Sequence, residues 1–176
     1  MGYEALTPGK NPPDEINVVV EITTGDNAVK YEVDKDSNCL MVDRFMNISM
    51  HYPANYGFVP RTLYDDGDPV DVLVLTPEAI VPGAVIKARP IAMLDTEDEA
   101  GMDAKILCVP TDKISTDYYK DKRDLDDVSE RTRNRIWHFF EHYKDLENGK
   151  WVKVHGWKDA AAAKAAIMHS IEAYKG

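Results

Sequence analysis

Tyr64-Asp65-Asp66-Gly67-Asp68-Pro69-Val70-Asp71-Val72-Leu73-Val74-Leu75 is the stretch on which the reading of this chain turns. Asp66, Asp68 and Asp71 crowd around Gly67 and Pro69, directly ahead of an apolar run. Gly opens backbone angles closed to other residues and Pro fixes φ, so residues 66–69 read as a tight, shaped turn. From Val70 the side chains of a strand alternate. Val70, Val72 and Val74 share one face, and Asp71 shares the other with Leu73 and Leu75. A carboxylate on an otherwise apolar face needs a partner. Packed anions repel unless cations hold them, and hard divalent ions such as Mg²⁺ favour carboxylate oxygens. The plain alternative is a solvated acidic turn, since Asp-Gly-Asp turns are common on surfaces. An EF-hand loop does not fit: its Gly belongs at the sixth position and a Glu at the twelfth, whereas here Gly follows the first Asp at once and Pro soon interrupts.

Length and composition set the outer bounds. With 176 residues, 44% apolar and 30% charged, the chain is expected to form one domain over residues 1–176 with a core of its own. No basic segment followed by an apolar run opens it, and no apolar stretch approaches the roughly 18–20 residues of a membrane span. A cytoplasmic protein without a membrane partner is expected. Cys39 and Cys108 form no metal-type pair and read as buried free thiols of a reducing compartment. The net charge of −10 argues against nucleic acid, whose binding rests on basic phosphate contacts. It leaves small phosphates open, because metals held by clustered carboxylates supply positive charge.

Residues 17–22 read as a first strand in which Glu21 stands alone among apolar neighbours, and residues 23–27 as a turn. Residues 29–33 form a strand with Lys30 and Glu32 on one face; residues 34–38 turn and 39–42 return as a hairpin partner. Residues 43–60 mix Arg44 and the aromatics Tyr52, Tyr56 and Phe58 with Pro and Gly, which suggests a shaped wall rather than a regular element. A long strand is expected over 84–94 and another over 105–109, joined by an acidic hairpin whose tip is Ala100-Gly101. Asp98 and Asp103 could face each other across that tip, and Asp103 shares a face with Lys105. Such tips are often merely solvated.

A helix is expected from about 126 to 146 with Ile136, Phe139, Phe140 and Tyr143 on its buried stripe, stopped by Asn148-Gly149. His138 and His142 lie four apart without the Glu of a zinc motif, and read as packing or interface residues. Residues 151–157 form a short extended segment. Asp159 is placed to cap a last helix over 160–174, with Ile167, Ile171 and Tyr174 inward. Strands followed by two helices near the C-terminus give an α+β domain with a curled antiparallel sheet.

Four blocks in this order resemble the soluble family I inorganic pyrophosphatases of bacterial type. They are Asp66-Gly67-Asp68-Pro69-Val70-Asp71-Val72, the run from Met50 through Tyr52-Pro53 and Asn55-Tyr56-Gly57-Phe58-Val59-Pro60, the hairpin Asp98 to Lys105, and His138-Phe139-Phe140-Glu141-His142-Tyr143-Lys144 with Trp151-Val152. The resemblance implies a small OB-like antiparallel β-barrel with two flanking helices, and hydrolysis of pyrophosphate to two phosphates in a homohexamer. It implies Asp66, Asp71 and Asp103 as ligands of the tightest Mg²⁺ and Asp71 as a bridge to a second metal. Asp98 with Asp103 would take a further ion, with Glu21 and Glu32 as outer carboxylates. Lys30, Arg44, Lys105, Tyr143 and Lys144 are implied as phosphate-binding groups, Tyr56 as a hydrogen-bonding group near substrate, and Asp68 as general base to a metal-activated water. These residue types suit the task, since metals and cations stabilise charge that builds on phosphate oxygens. Two other readings use the same carboxylates: a phosphohydrolase of nucleotides or other polyphosphates, and an inactive OB-like module that only binds metal.

Overall fold

The computed structural model describes residues 2–26, 29–34, 36–115 and 117–175, except the side chain of Glu4. Its core is mostly sheet with two helices. The strands are β1 (Ile16–Ile22), β2 (Val29–Val33), β3 (Leu40–Phe45), β4 (Asn55–Phe58), β5 (Asp71–Val74), β6 (Val85–Asp98), β7 (Gly101–Met102), β8 (Lys105–Pro110) and β9 (Val152–Lys158). The helices are α1 (Glu130–His142) and α2 (Ala160–Ala173). Asn27 of the first expected turn and Lys35 of the second lie outside the described residues.

β1 pairs with β4, β4 with β5, β5 with β8, β8 with β6, and β6 again with β1, so the pairing returns on itself. β6 does this by its length: residues 85–88 pair with β1, 88–94 with β8, 93–98 with β9, and 97–98 with the short β7. β2 and β3 form a separate hairpin. One junction departs from the antiparallel sheet expected from sequence. β5 and β8 run parallel, with Asp71 beside Lys105, and the chain between them crosses over through β6.

Strand alternation divides the core in two. Leu73, Leu94, Leu107 and Val109 pack with Ile136, Phe139, Phe140 and Tyr143 of the α1 segment. Val70, Val72, Val74, Ile106 and Cys108 pack with Ala163 and Ile167 of α2. Burial of these apolar side chains contributes roughly 25 cal/mol per Å² removed from water and fixes the sheet between its helices.

β4 lies inside the stretch expected to be irregular. Gly57 permits it: a Cβ there would sit 1.8 Å from the Val19 carbonyl oxygen, so β4 approaches β1 as closely as it does only without a side chain. Asn55, fully buried, accepts the Thr24 and Ile80 N–H groups at 3.1 and 3.0 Å and donates to Thr76 Oγ1 at 2.7 Å, which satisfies an otherwise costly amide.

Other boundaries move for local reasons. Asp124 and Asp127 close a capping box over a 3₁₀ turn at 125–127, and Ser129 then caps α1, so the helix starts later than expected. β6 continues through the acidic residues to Asp98 because β9 pairs alongside, with Lys158 on Asp95 at 2.7 Å and His155 on Glu97 at 3.0 Å. Asp159 caps α2 as expected, through the Ala162 N–H at 2.9 Å. Tyr174 ends exposed rather than inward, Ile171 is half-buried and packs against the core beside Ile167 as expected, and Cys39 is exposed while Cys108 is buried. No helix among the described residues is long and apolar enough to cross a membrane.

Candidate active site

A cavity of about 510 Å³ opens on the α1 side of the sheet, and every residue given a metal, substrate or catalytic role from the sequence lines it. Glu21, Lys30, Glu32 and Arg44 come from β1 and the β2–β3 hairpin; Tyr56 from β4; Asp66, Asp68 and Asp71 from the acidic turn and β5. Asp98, Asp103 and Lys105 come from the second acidic hairpin and β8, Tyr143 and Lys144 from the end of α1.

The parallel register builds the centre. Asp71 and Lys105 are neighbours across β5 and β8, and Asp103 lies two residues before Lys105 on the same face. Lys105 Nζ, 2% exposed, lies 2.5 Å from Asp71 Oδ2 and 2.6 Å from both oxygens of Asp103. The Tyr56 hydroxyl donates to Asp71 and lies 3.4 Å from Lys105 Nζ. Burial works against the Lys105 ammonium, but Asp103 and Asp71 outweigh it and hold its pKa well above the usual value. Burial pushes Asp103 up to about 7, with Lys105 opposing and Asp71 and Asp66 adding to the rise.

The acidic turn is held from both ends. Gly67 at φ +90° takes the angle that the sequence assigned to glycine, and the Asp68 N–H donates to Asp66 Oδ1 at 3.0 Å. The Tyr64 N–H donates to the Asp68 carbonyl at 2.7 Å. His169 of α2 contacts Asp65 at 2.9 Å, and the Leu63 N–H donates to the Ser170 carbonyl, so α2 anchors the loop. Burial raises the pKa of Asp66.

The rim is more open. Lys30 Nζ lies between Glu32 at 3.0 Å and Asp43 at 2.9 Å, and Arg44 Nη1 donates to the same Asp43 oxygen at 2.8 Å. Opposite, Lys144 Nζ contacts Asp98 at 2.6 Å and Glu99 at 3.4 Å. Glu21 is 6% exposed and accepts the Val33 N–H at 2.7 Å; burial lifts its pKa to about 8. Burial likewise moves the Tyr56 and Tyr143 hydroxyls well above their ordinary values, which keeps both as donors.

Sequence reasoning assigned nothing to several residues found here. Asp43 shares Lys30 and Arg44; its signal was adjacency to Arg44, but its side depends on a bulge. Glu147 lies 4.0 Å from Arg44 Nε, and neither of those buried atoms has a hydrogen-bond partner. Asn38, Arg61, Glu99 and Lys150 also line the cavity. His138 and His142 stand away from it with their rings 4.8 Å apart, His142 on Asp145 at 2.9 Å.

The carboxylates line one cavity, yet among the described residues no three His, Cys, Asp or Glu stand close enough to hold a metal as they are. The Lys105 ammonium occupies the meeting point of Asp71 and Asp103. The donor set nevertheless suits a hard dication. Its oxygens are carboxylate, and protons retained by Asp103 and Glu21 mark negative charge that a cation would stabilise.

A family model described as inorganic pyrophosphatase matches residues 18–175. Inorganic pyrophosphatase 1 of Pseudomonas syringae pv. tomato is 53% identical over all of both chains, and the inorganic pyrophosphatase of Gluconobacter oxydans is 56% identical over 99% of this chain and all of that one. The structure of an inorganic pyrophosphatase from Coxiella burnetii superposes with a TM-score of 0.93 at 48% identity, covering 97% of this chain and all of that one.

Proposed function

The chain belongs to the inorganic pyrophosphatase family and is an inorganic diphosphatase, and from that premise we propose a Mg²⁺-dependent mechanism with Asp68 as general base. The observation that supports this reading is one cavity whose lining combines eight carboxylates, Glu21, Glu32, Asp66, Asp68, Asp71, Asp98, Glu99 and Asp103, with the cations Lys30, Arg44, Lys105 and Lys144 among others. Asp66, Asp71 and Asp103 would hold the tightest Mg²⁺, with Asp98, Glu21 and Glu32 serving further ions directly or through water. When bound, Mg²⁺ supplies charge neutralisation for the diphosphate and acidifies water.

The chain's own groups then divide the work. Lys30, Lys105 and Tyr143 hold the phosphate under attack, and the Tyr56 hydroxyl keeps Asp71 oriented. Asp68 Oδ takes the proton of the attacking water as its oxygen bonds to phosphorus. The bridging P–O bond breaks toward the other phosphate, whose added charge Arg44 and Lys144 neutralise. Water attacks directly, so no phosphoenzyme forms.

The closed pairing circuit of β1, β4, β5, β8 and β6 supports an OB-like β-barrel, and residues 1–176 are assigned to one domain. A cytoplasmic homohexamer, with His138 and His142 at a subunit contact, completes the reading.

Phosphate release from pyrophosphate with Mg²⁺, beside the Asp68→Asn variant and a parallel assay with ATP, tests it. The expected outcome is Mg²⁺-dependent release from pyrophosphate alone, with kcat reduced about 10²–10⁴-fold in the variant. An active Asp68→Asn enzyme would remove the base role. Comparable turnover of ATP would instead favour a broader phosphohydrolase, and a folded, Mg²⁺-binding but inactive protein would leave a metal-binding module.

A further inference from the structure

Residues 59–62 form a turn that the mechanism above does not account for. Val59 and Pro60 are buried and Thr62 is 2% exposed. Thr62 Oγ1 donates to the Val59 carbonyl at 2.7 Å and accepts the Val70 N–H at 3.1 Å, while the Val59 N–H donates to the Val70 carbonyl at 3.1 Å. The turn is therefore clamped to the strand that carries Asp71. Between its buried flanks, Arg61 is exposed and has φ +54°.

In a turn with Pro at the second position, a left-handed third residue is ordinarily Gly, which has no Cβ to crowd the backbone carbonyl, or Asn, whose short polar side chain bonds locally. Among the described residues, Asn38 (φ +53°) is the other non-glycine residue with such a backbone, and Asn tolerates it. Both residues line the cavity. A strained position filled by a side chain that disfavours it, at a functional site, points to work done by that side chain. A guanidinium there presents a rigid fork suited to phosphate oxygens.

We propose that Arg61 is a substrate-binding residue at the exposed rim of the cavity, taking the oxygens of one phosphate of pyrophosphate. The inference rests on the pyrophosphatase reading and adds a phosphate contact to it. It also explains why Arg stands where Gly would fold more easily.

The test uses opposed expectations. Arg61→Gly relieves the backbone and removes the charge, whereas Arg61→Lys keeps charge and strain but not the fork. In Mg²⁺, Arg61→Gly should melt at or above the parent's temperature yet lose about tenfold in kcat/KM, mainly through KM, as for a charge-assisted hydrogen bond. Arg61→Lys should recover part of that loss. Binding of imidodiphosphate with Mg²⁺, followed by calorimetry, should weaken in parallel. An Arg61 that does not touch substrate predicts the same stability but no functional loss: kcat/KM and imidodiphosphate affinity of Arg61→Gly stay within about twofold of the parent, and that result overturns the proposal. If the parent hydrolyses no pyrophosphate, the functional reading fails by itself, and the imidodiphosphate affinities still decide for or against Arg61.

Discussion

The same motif, an ammonium between two carboxylates, occurs at the centre of the cavity and at its rim, in opposite settings. At the centre, Lys105 is 2% exposed and lies 2.5 and 2.6 Å from Asp71 and Asp103. At the rim, Lys30 keeps 21% of its side chain exposed and lies 3.0 and 2.9 Å from Glu32 and Asp43. The centre stands on β5 and β8, inside the closed pairing circuit; the rim stands on a hairpin whose strands, among the described residues, pair only with each other. Charges at the centre are locked by register and costly to desolvate, whereas those at the rim are cheap and free to adjust. On the proposed mechanism the site holds cations rigidly and then admits a polyanion, and it would use both.

The largest expected effect comes from breaking the centre. Lys105→Met leaves Asp71 and Asp103 without their shared cation. In metal-free protein, urea denaturation should show a loss of about 3–5 kcal/mol, as for a buried pair deprived of one partner. Added Mg²⁺ should restore much of it, because a dication can take over the charge. A loss below about 1 kcal/mol would place the centre in the same class as a surface pair.

The two deeply buried carboxylates, Asp103 and Glu21, should also make stability depend on pH in an unusual direction. Burial holds Asp103 up to about 7 against a usual 3.8, and Glu21 up to about 8 against 4.5. Between those limits the folded protein keeps protons that the unfolded chain has released, so folding stability falls as pH rises from about 4 to about 8. The slope is at most about 1.4 kcal/mol per pH unit for each group. The rim has the opposite sign, since Asp43 is held low despite partial burial by its bond with Lys30, and its contribution is lost toward acid. Melting temperatures in EDTA should therefore decline between pH 5 and 8, and both excess Mg²⁺ and Glu21→Gln should flatten the decline. A flat profile in EDTA would contradict the burial argument.

Sequence reading reached these two regions unequally. The alternation from Val70 to Leu75 correctly separated the two core faces, and it put Asp71 on the face that opens into the cavity. Period-two spacing also paired Asp103 with Lys105, and Lys30 with Glu32, because such relations are local. The Asp71–Lys105 pairing was out of reach. It depends on a parallel junction across 34 residues, and parallel partners leave no turn between them to read. β4 was missed because Gly57 and Pro53 look like loop chemistry, and only the approach to Val19 explains the glycine. Asp43 went unassigned for a subtler reason. The register slips between Lys30 and Tyr31, making Asp43 the extra residue of a bulge, and a bulge of this kind reverses the face that alternation assigns.

That bulge gives the smallest prediction and the finest test of the contrast. Asp43 Oδ2 receives hydrogen bonds from both Lys30 and Arg44, two groups assigned to substrate phosphate. Asp43→Asn preserves shape and an accepting oxygen while removing the charge that competes with phosphate for those cations. Because the pair is partly solvated, stability should change by less than about 1 kcal/mol. With orientation kept and one repulsive charge gone, KM for pyrophosphate should fall roughly two- to threefold, about 0.5 kcal/mol, with kcat little altered. A rise in KM would mean that Asp43 acts mainly by aiming Lys30 and Arg44. A stability loss matching that of Lys105→Met would mean that the hairpin is locked as firmly as the strands beneath it.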